Sequence, residues 1–587
     1  MLRVINVIFI VSVILLGSAP FSYANDKNKV KREDREPEAA TGFNQKAAFT
    51  AQEFMVVAAN PYASWTGKNI IQQGGNAIDA AVAVQAMLTL VEPQSSGIGG
   101  GAFILYWDNK TKTLHTIDAR EMAPSQVNPY WFMDGNDPMK WIDAVIGGKS
   151  VGVPGVLAGL EHAHKKFGKL DWSVLFEDTI DTSLKGFTVS ERLHRLLSME
   201  LNKGILEFPA SASYFYPAGM PLAEGSKRRN PRLAKTLQGV AEQGTDYFYK
   251  GEIAKQIAQA VQNASINPGN LTVEDMANYN VIEREPICGT YRGYRLCGMA
   301  PPSSGGINVL QILSMLETFP INQYTYNSVE FAHLYSQATA KAYADRNAFI
   351  ADSDFTRVPS AALVNDAYLS RRAEGIGLDK RWRKMRPGEP HIQAQWREGM
   401  SLELPNTSHI SIVDKEGNAV SMTTSIEFMF GSGLMVGGFL LNNQLTDFSF
   451  SPSRGNRPVL NRVEPGKRPR SAMSPTMVFD DKGDLSIVVG SPGGSRIISY
   501  VAQTLIGMID WDLNIQQAIN MPKLTNRNDY TTLEKGTVME SLQAPLEAKG
   551  HKIRIGDLNS GLHGIQIING TLVGGADPRR EGIAVGQ

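Results

Sequence analysis

Net charge is absent from this chain of 587 residues, because 58 lysines and arginines balance 58 aspartates and glutamates. A protein without a net field has no general attraction for nucleic acid or for an anionic membrane surface. We therefore expect neither nucleic acid nor a membrane among its partners.

Cysteine is scarce, since only Cys288 and Cys297 are present. Two ligands with no histidine nearby are too few for a metal site, so we expect no metal and no cofactor. The pair lies in ICGTYRGYRLCG, where short strand-like runs flank an Arg-Gly centre, and a hairpin would bring the cysteines opposite each other. A disulfide and two buried free thiols both fit this pattern.

Long apolar runs are missing after the first residues of the chain. The N terminus carries Arg3, an apolar run over residues 4–16 and the small-x-small pattern Ser22-Tyr23-Ala24, which together predict a signal peptide over residues 1–24. The run is shorter than the roughly 20 residues that span a bilayer, so a membrane anchor is the weaker alternative. Residues 25–46 are charged and predict a flexible leader. We expect secretion, to the periplasm in a Gram-negative host.

The sequence after the leader predicts a first part with both helices and strands and, from Thr407, a second part rich in strands. We expect the strands of both parts to share one sheet system. The glycine loop in SSGIGGGAFILYWD lies between a helix and a strand. A dinucleotide fingerprint has the reverse order, strand then glycines then helix, so nucleotide binding is disfavoured.

A strand begins abruptly in ELPNTSHISIVDKEGNAVSMTTSIE, residues 403–427, where two alternating runs flank the turn DKEGN and predict a hairpin. If the chain is cut between Asn406 and Thr407, one residue gains both a hydroxyl nucleophile and an α-amine that can act as its general base. Such an amine titrates near pH 8. The alternative is a threonine that only opens a strand.

Two further stretches carry groups suited to an amino-acid substrate. In GSPGGSRI, the backbone N–H groups of Gly493 and Gly494 ahead of a helix could hold an oxyanion, although an ordinary turn also fits. In LLNNQLTDF, Gln444 and Asp447 could face an ammonium, while Arg120 could bind a carboxylate. The alternative there is a solvated turn with a structural salt bridge.

Several motifs in one order resemble the γ-glutamyltransferases, also called γ-glutamyltranspeptidases. The resemblance runs from about residue 50 to the C terminus and rests on NPYASWTGKNIIQQGGNAIDAAVAVQ, VEPQSSGIGGGAF, DAREMAP, PPSSGG, NTSHISIVDKEGNAV, FGSG, LNNQLTDFSF, KRPRSAMSPT and GSPGGSRI. It implies the N-terminal nucleophile hydrolase class, an α+β fold with a four-layer αββα sandwich built from both processed chains.

The resemblance also implies self-cleavage between Asn406 and Thr407. A large subunit, residues 47–406, and a small subunit, residues 407–587, would form one integrated heterodimer. Thr407 would attack the γ-amide of glutathione or a related compound, with Gly493 and Gly494 holding the oxyanion. Water or the amine of an amino acid or peptide would then accept the γ-glutamyl group.

Substrate residues follow from the same resemblance. Arg120 and Ser471 match the α-carboxylate clamp, Gln444 and Asp447 match the α-amine site, and Gly494 would line the same pocket. Ser425 falls where the family often has a second threonine beside the nucleophile, so a hydroxyl is kept.

Three departures bear on specificity. Glu427 stands where many members have asparagine, and Ala472 replaces the second serine of a Ser-Ser pair. Residues 451–469, where some members have an aromatic lid, contain no Tyr, Phe or Trp. An open site would favour bulkier acyl groups, as in relatives that hydrolyse glutaryl-cephalosporins or poly-γ-glutamate. The alternative from another class is a secreted binding protein without turnover.

Overall fold

The structure is a computed structural model that describes residues 42–390, 399, 401 and 406–587. The predicted signal peptide and most of the predicted leader lie outside the described residues. Lys46, the last residue of that leader, donates from Nζ to the carbonyl oxygens of Asp577 at 2.9 Å and Arg580 at 2.8 Å. The N-terminal end of the described chain is therefore bound to its C-terminal segment.

The fold is α+β, with two seven-stranded antiparallel sheets as its main framework. Their strands are β1 Phe49–Ala51, β2 Met55–Ala58, β3 Gly101–Asp108, β4 Thr113–Ala119, β5 Ile282–Glu283, β6 Ile287–Tyr291, β7 Tyr294–Gly298, β8 Ser408–Val413, β9 Ala419–Ser425, β10 Thr476–Phe479, β11 Leu485–Gly490, β12 His563–Ile568, β13 Thr571–Ala576 and β14 Ile583–Gly586. The first sheet has the order β1-β13-β12-β11-β10-β7-β6, and the second has the order β14-β2-β8-β9-β3-β4-β5.

The longer helices of the described chain all lie between strands in the sequence. They are α1 Pro61–Gln72, α2 Ala77–Val91, α3 Val156–Phe167, α4 Glu177–Lys185, α5 Glu191–Ser198, α6 Pro231–Gln243, α7 Glu252–Gln262, α8 Gly305–Leu316, α9 Val329–Phe349, α10 Asp366–Ala373 and α11 Ile497–Ile509. Asn76 caps α2 in a capping box with Asp79, which fixes the start of this Ala-rich helix.

Alternate side chains of the strands in the second sheet pack into two separate core clusters. In β3, Ile104 and Tyr106 belong to a core cluster shared with α1 and α2, whereas Phe103, Leu105 and Trp107 belong to a cluster shared with the first sheet. Successive side chains of a strand point to opposite faces, so the second sheet has helices on one face and the first sheet on the other. Strands β8 and β9 contact β11 across this interface.

Both sheets contain strands from before and from after Thr407. Strand β8 pairs with β2 on one side and β9 on the other, and β9 pairs with β3. The predicted shared sheet system is thus confirmed. This arrangement places Thr407 at the start of an interior strand.

The two cysteines lie opposite each other in the β6–β7 hairpin, where Cys288 is the register partner of Cys297. The structure joins them by a disulfide. In the part of the chain that the structure describes, no helix has both the length and the hydropathy needed to cross a bilayer.

Candidate active site

The Asn406-Thr407 junction is buried at the entrance to β8. Asn406 is fully buried and Thr407 is only 3% exposed. The Thr407 hydroxyl lies 3.2 Å from the hydroxyl of Ser425, the last residue of β9. The two ends meet because β8 and β9 form one antiparallel hairpin, as the sequence pattern predicted.

Ser425 connects both sides of the junction. Its hydroxyl donates to the carbonyl oxygen of Asn406 at 2.9 Å and accepts from the backbone N–H of Glu427 at 2.9 Å. A serine hydroxyl has one proton, and here that proton is used on Asn406. The Thr407 hydroxyl is therefore the donor in its contact with Ser425.

Serines of the PQSSG loop hold the residues on either side of Thr407. Ser95 donates to Oδ1 of Asn406 at 3.1 Å, and Ser96 donates to the hydroxyl of Ser408 at 3.0 Å. These contacts were not predicted from the sequence, although the loop is part of the motif VEPQSSGIGGGAF.

Arg580 is a second neighbour of Thr407 that was not predicted from the sequence. Its Nη1 donates to the carbonyl oxygen of Thr407 at 3.3 Å. Buried Glu92 lies in the same charged group: burial raises its pKa to about 7, against the opposing charges of Arg192 and Arg580. The sequence shows two neighbouring arginines in DPRREG, but no pattern near them indicates a contact with Thr407.

The residues predicted to bind an α-amine form one buried cluster. Nε2 of Gln444 donates to Oε2 of Glu427 at 3.0 Å and to Oδ2 of Asp447 at 2.9 Å. Arg120 donates from Nη2 to the same Asp447 oxygen at 2.5 Å. Glu427 has a φ of 74°, in the left-handed region that non-glycine residues seldom adopt. Ser425 thus bonds Thr407 and the backbone of Glu427, and the side chain of Glu427 is linked by hydrogen bonds through Gln444 and Asp447 to Arg120.

Arg120 sits among acidic groups at the end of β4. Burial alone would lower its pKa, but the carboxylates of Glu121, Asp447 and Glu427 raise it above the ordinary value. Its Nη1 lies 3.5 Å from Oε2 of Glu121. Burial raises the pKa of Glu121 to about 8 despite this cation. Glu121 was not singled out in the sequence, although it follows Arg120 directly.

Ser471 lies close to Arg120 in the fold. Its chain neighbour Arg470 accepts, at the backbone carbonyl oxygen, a hydrogen bond of 3.2 Å from Nη2 of Arg120. The Ser471 hydroxyl accepts from the backbone N–H of Met473 at 3.1 Å. Ala472 is buried in the core cluster shared with the first sheet and offers no hydroxyl.

The Gly493-Gly494 turn lies between β11 and α11, with φ of 132° and 53°. A Cβ on Gly493 would lie 2.7 Å from the ring of Tyr500, so a side chain is excluded there by space as well as by conformation. A Cβ on Gly561 would meet both Arg580 and Pro492, which shows that this turn adjoins the arginine bound to Thr407.

A cavity of about 440 Å³ is lined in part by Thr446 of the Gln444–Asp447 turn. Trp141, Phe448 and Phe450 line it together with residues of the predicted non-aromatic loop. Within the described ranges, no group of three or more His, Cys, Asp or Glu side chains could hold a metal ion.

Comparison with known proteins decides the family. The family model described as gamma-glutamyltranspeptidase matches residues 63–587. The chain belongs to this family. The resemblance identified from the sequence is therefore confirmed.

Members of the family are similar to the chain over nearly its whole length. The glutathione hydrolase proenzyme of Bacillus subtilis strain 168 is 38% identical over 598 residues, covering 98% of this chain and 97% of that protein. The glutathione hydrolase proenzyme of Escherichia coli K12 is 38% identical over 541 residues, covering 90% and 91%. The crystal structure of cephalosporin acylase from Bacillus halodurans superimposes with a TM-score of 0.82 at 26% identity, covering 94% of this chain and 99% of that one.

Proposed function

We propose that this protein is a self-processing γ-glutamyltransferase and glutathione hydrolase. It transfers the γ-glutamyl group of glutathione and related compounds to water, an amino acid or a peptide. The observation that carries the proposal is the Ser425 hydroxyl, which contacts both the carbonyl oxygen of Asn406 and the hydroxyl of Thr407. One hydroxyl thus contacts both the carbonyl oxygen of the peptide bond to be cut and the hydroxyl that would attack it.

Self-cleavage uses these two hydroxyls in turn. The Thr407 oxygen attacks the carbonyl carbon of Asn406, and Ser425 stabilises the negative charge that develops on the carbonyl oxygen. The C–N bond breaks, the hydroxyl proton passes to the departing nitrogen, and an ester remains. Water then hydrolyses the ester, which leaves a carboxylate on Asn406 and both a free hydroxyl and a free α-amine on Thr407. The products are a large subunit, residues 47–406, and a small subunit, residues 407–587.

Turnover repeats this chemistry on a substrate. Thr407 attacks the γ-carbonyl carbon, its α-amine takes the hydroxyl proton and delivers it to the leaving amine, and a γ-glutamyl ester forms. Backbone N–H groups of Gly493 and Gly494 hold the oxyanion. Water resolves the ester to glutamate, whereas an amine acceptor gives a new γ-glutamyl amide.

The amino-acid head of the donor binds in the buried polar cluster. Glu427 and Asp447, held together by Gln444, surround the ammonium, and Arg120 with Ser471 binds the carboxylate. Nη2 of Arg120 bonds Asp447 at 2.5 Å, whereas Nη1 has, among the described residues, only the longer contact of 3.5 Å with Glu121, so the substrate carboxylate would bind at Nη1. Three carboxyl groups beside Arg120 make the cluster suited to a zwitterion rather than to a simple anion.

A four-layer αββα sandwich, assembled from both subunits, is the architecture we infer for this site. It is supported by the two stacked sheets, by α1 and α2 on the outer face of the second sheet, and by α8 and α11 against strands of the first sheet.

An acylase acting on glutaryl compounds is the second candidate, favoured by the likeness to cephalosporin acylase from Bacillus halodurans. The two functions differ in the α-amine, which a glutaryl group lacks. A carboxylate pair has value only for a substrate that carries the ammonium, and this supports the γ-glutamyl assignment.

The proposal is tested by the masses and N-terminal sequences of the purified protein and of Thr407→Ala. We expect the parent to give two chains, the smaller starting Thr-Ser-His, and Thr407→Ala to remain whole and inactive. Hydrolysis of γ-glutamyl-p-nitroanilide and glutaryl-p-nitroanilide is then compared. Preference for the glutaryl compound, or cleavage of Thr407→Ala, would overturn the assignment.

A further inference from the structure

A second cavity of about 1070 Å³ lies outside the active site and is unusually basic. It is lined by five cations of the segment 380–386, KRWRKMR, and by two cations of helices α9 and α10: Lys380, Arg381, Arg383, Lys384 and Arg386, with Lys341 and Arg372. Asp379 is the carboxylate among the residues that line it. The lining shares no residue with the active site described above.

The positive charge of this cavity is largely unneutralised. Arg372 pairs with Asp345 at 3.0 Å. In the part of the chain that the structure describes, the five cations of segment 380–386 form no ion pair and no side-chain hydrogen bond. Burial and the neighbouring Arg372 lower the pKa of Lys341 to about 8, consistent with an excess of positive charge.

Segment 380–386 is fixed in place, so its cations are held together. The backbone N–H of Trp382 donates to the carbonyl oxygen of Lys549 at 2.8 Å. Met385 exchanges two hydrogen bonds with Asn528, at 2.6 and 2.9 Å. The N–H of Gly388 donates to Asp345 at 2.8 Å. A solvated basic loop would not need these anchors, since free cations lower their repulsion by moving apart.

Two of the donors that line the cavity are themselves buried. Lys341 and Trp382 are each 7% exposed. The indole N–H of Trp382 has no hydrogen-bond partner among the described residues. Leaving a buried donor unbonded is unfavourable, so a ligand that supplies an acceptor would be stabilised here.

We propose that this cavity binds a multivalent phosphate anion with three or more closely spaced phosphate groups. Guanidinium and ammonium groups are the side chains that proteins use for phosphate oxygens, and a phosphate chain can contact several of them at once. The volume is at the upper end of the range of about 300–1000 Å³ for small-molecule sites, which is too large for a single phosphate. This inference does not depend on the proposed catalytic function.

Inorganic tripolyphosphate is the probe for the test, titrated calorimetrically into the full purified protein at low salt. We expect saturable binding of one equivalent, weakened by added salt because the contacts are ionic. Orthophosphate and citrate, a tricarboxylate of similar charge, should bind at least about tenfold more weakly.

The double variant Arg383→Gln, Lys384→Gln should bind tripolyphosphate at least about tenfold more weakly than the parent. Loss of a single charge-assisted hydrogen bond is enough for this change. The matched control is Lys235→Gln with Lys255→Gln, which removes the same charge from exposed positions of α6 and α7. We expect its affinity to be unchanged. Both variants should retain the parent's melting temperature.

Three results would overturn the proposal. They are the absence of saturable binding at low salt, an equal loss of affinity in the control variant, and citrate binding as tight as that of tripolyphosphate. Hydrolysis of γ-glutamyl-p-nitroanilide by both double variants is measured in parallel. Activity like that of the parent is expected from each, so failure of the anion site remains distinct from failure of the catalytic assignment.

Discussion

Removal of the Ser425 hydroxyl should slow self-cleavage by a factor of about 100 to 1000. The hydroxyl lies 2.9 Å from the carbonyl oxygen that becomes negative, in a site where Asn406, Thr407 and Ser425 are at most 3% exposed. Water has no access to replace the lost donor. Donors of this kind contribute about 2.7–4 kcal/mol to a transition state, which gives the stated factor.

The assay follows conversion of freshly synthesised precursor into two chains by electrophoresis, for the parent and for Ser425→Ala. Ser425→Thr keeps a hydroxyl and should cleave within about tenfold of the parent rate, since only one added methyl group must be accommodated.

Ser421→Ala is the matched control for this experiment. Ser421 lies on the same strand and face, is equally buried, and donates to the carbonyl oxygen of Val489 at 3.3 Å. Its loss should destabilise the fold to a similar extent without slowing cleavage. Cleavage of Ser425→Ala at the parent rate, or equal slowing in Ser421→Ala, would refute the reasoning.

Three other changes test separate parts of the site. Arg580→Gln should raise, by about one unit, the pH at which kcat/KM reaches half its maximum, because a cation beside Thr407 disfavours protonation of its amine; an unchanged pH profile would contradict this. Glu427→Gln should raise the KM for γ-glutamyl-p-nitroanilide at least about tenfold, since it removes a charge-assisted bond to the ammonium; turnover of the glutaryl analogue is the control and should not fall. Glu121 holds its proton more tightly when folded, so its contribution to stability should be lost as pH rises from 4.5 towards about 8. In Glu121→Gln, the melting temperature measured by calorimetry should change less with pH over this window. A pH dependence like that of the parent would argue against the role of the buried carboxyl group.

The features that could be predicted from the sequence are those in which reactive or polar residues lie within one local secondary-structure pattern. The abrupt strand at Thr407 follows from the alternation of side chains, and Gln444 and Asp447 meet because they are three positions apart in one helical turn. Two glycines ahead of a helix were enough to predict the turn at Gly493. In each case the determining contacts lie within a few residues of one another.

Contacts between distant segments were beyond this reasoning. Arg580 reaches Thr407 only because β14 and β8 flank β2 in one sheet, and no local pattern records that pairing. Arg120 and Asp447 were assigned to opposite ends of a substrate, yet they bond each other in the structure. The balanced charge of the whole chain likewise concealed the local concentration of cations in segment 380–386.

If the chain is cut at Thr407 as proposed, the two resulting subunits contribute strands to both sheets, so the mature protein cannot be reassembled simply. Strand β8 begins the small subunit but is hydrogen-bonded on one side to β2 of the large subunit. Separating the subunits therefore requires breaking both sheets, so dissociation and denaturation are one event. Once cut, the denatured chains must find each other before they can refold, and recovery becomes dependent on concentration. The precursor folds as one molecule, and its cleavage converts a reversible folding equilibrium into a state maintained by the height of its unfolding barrier.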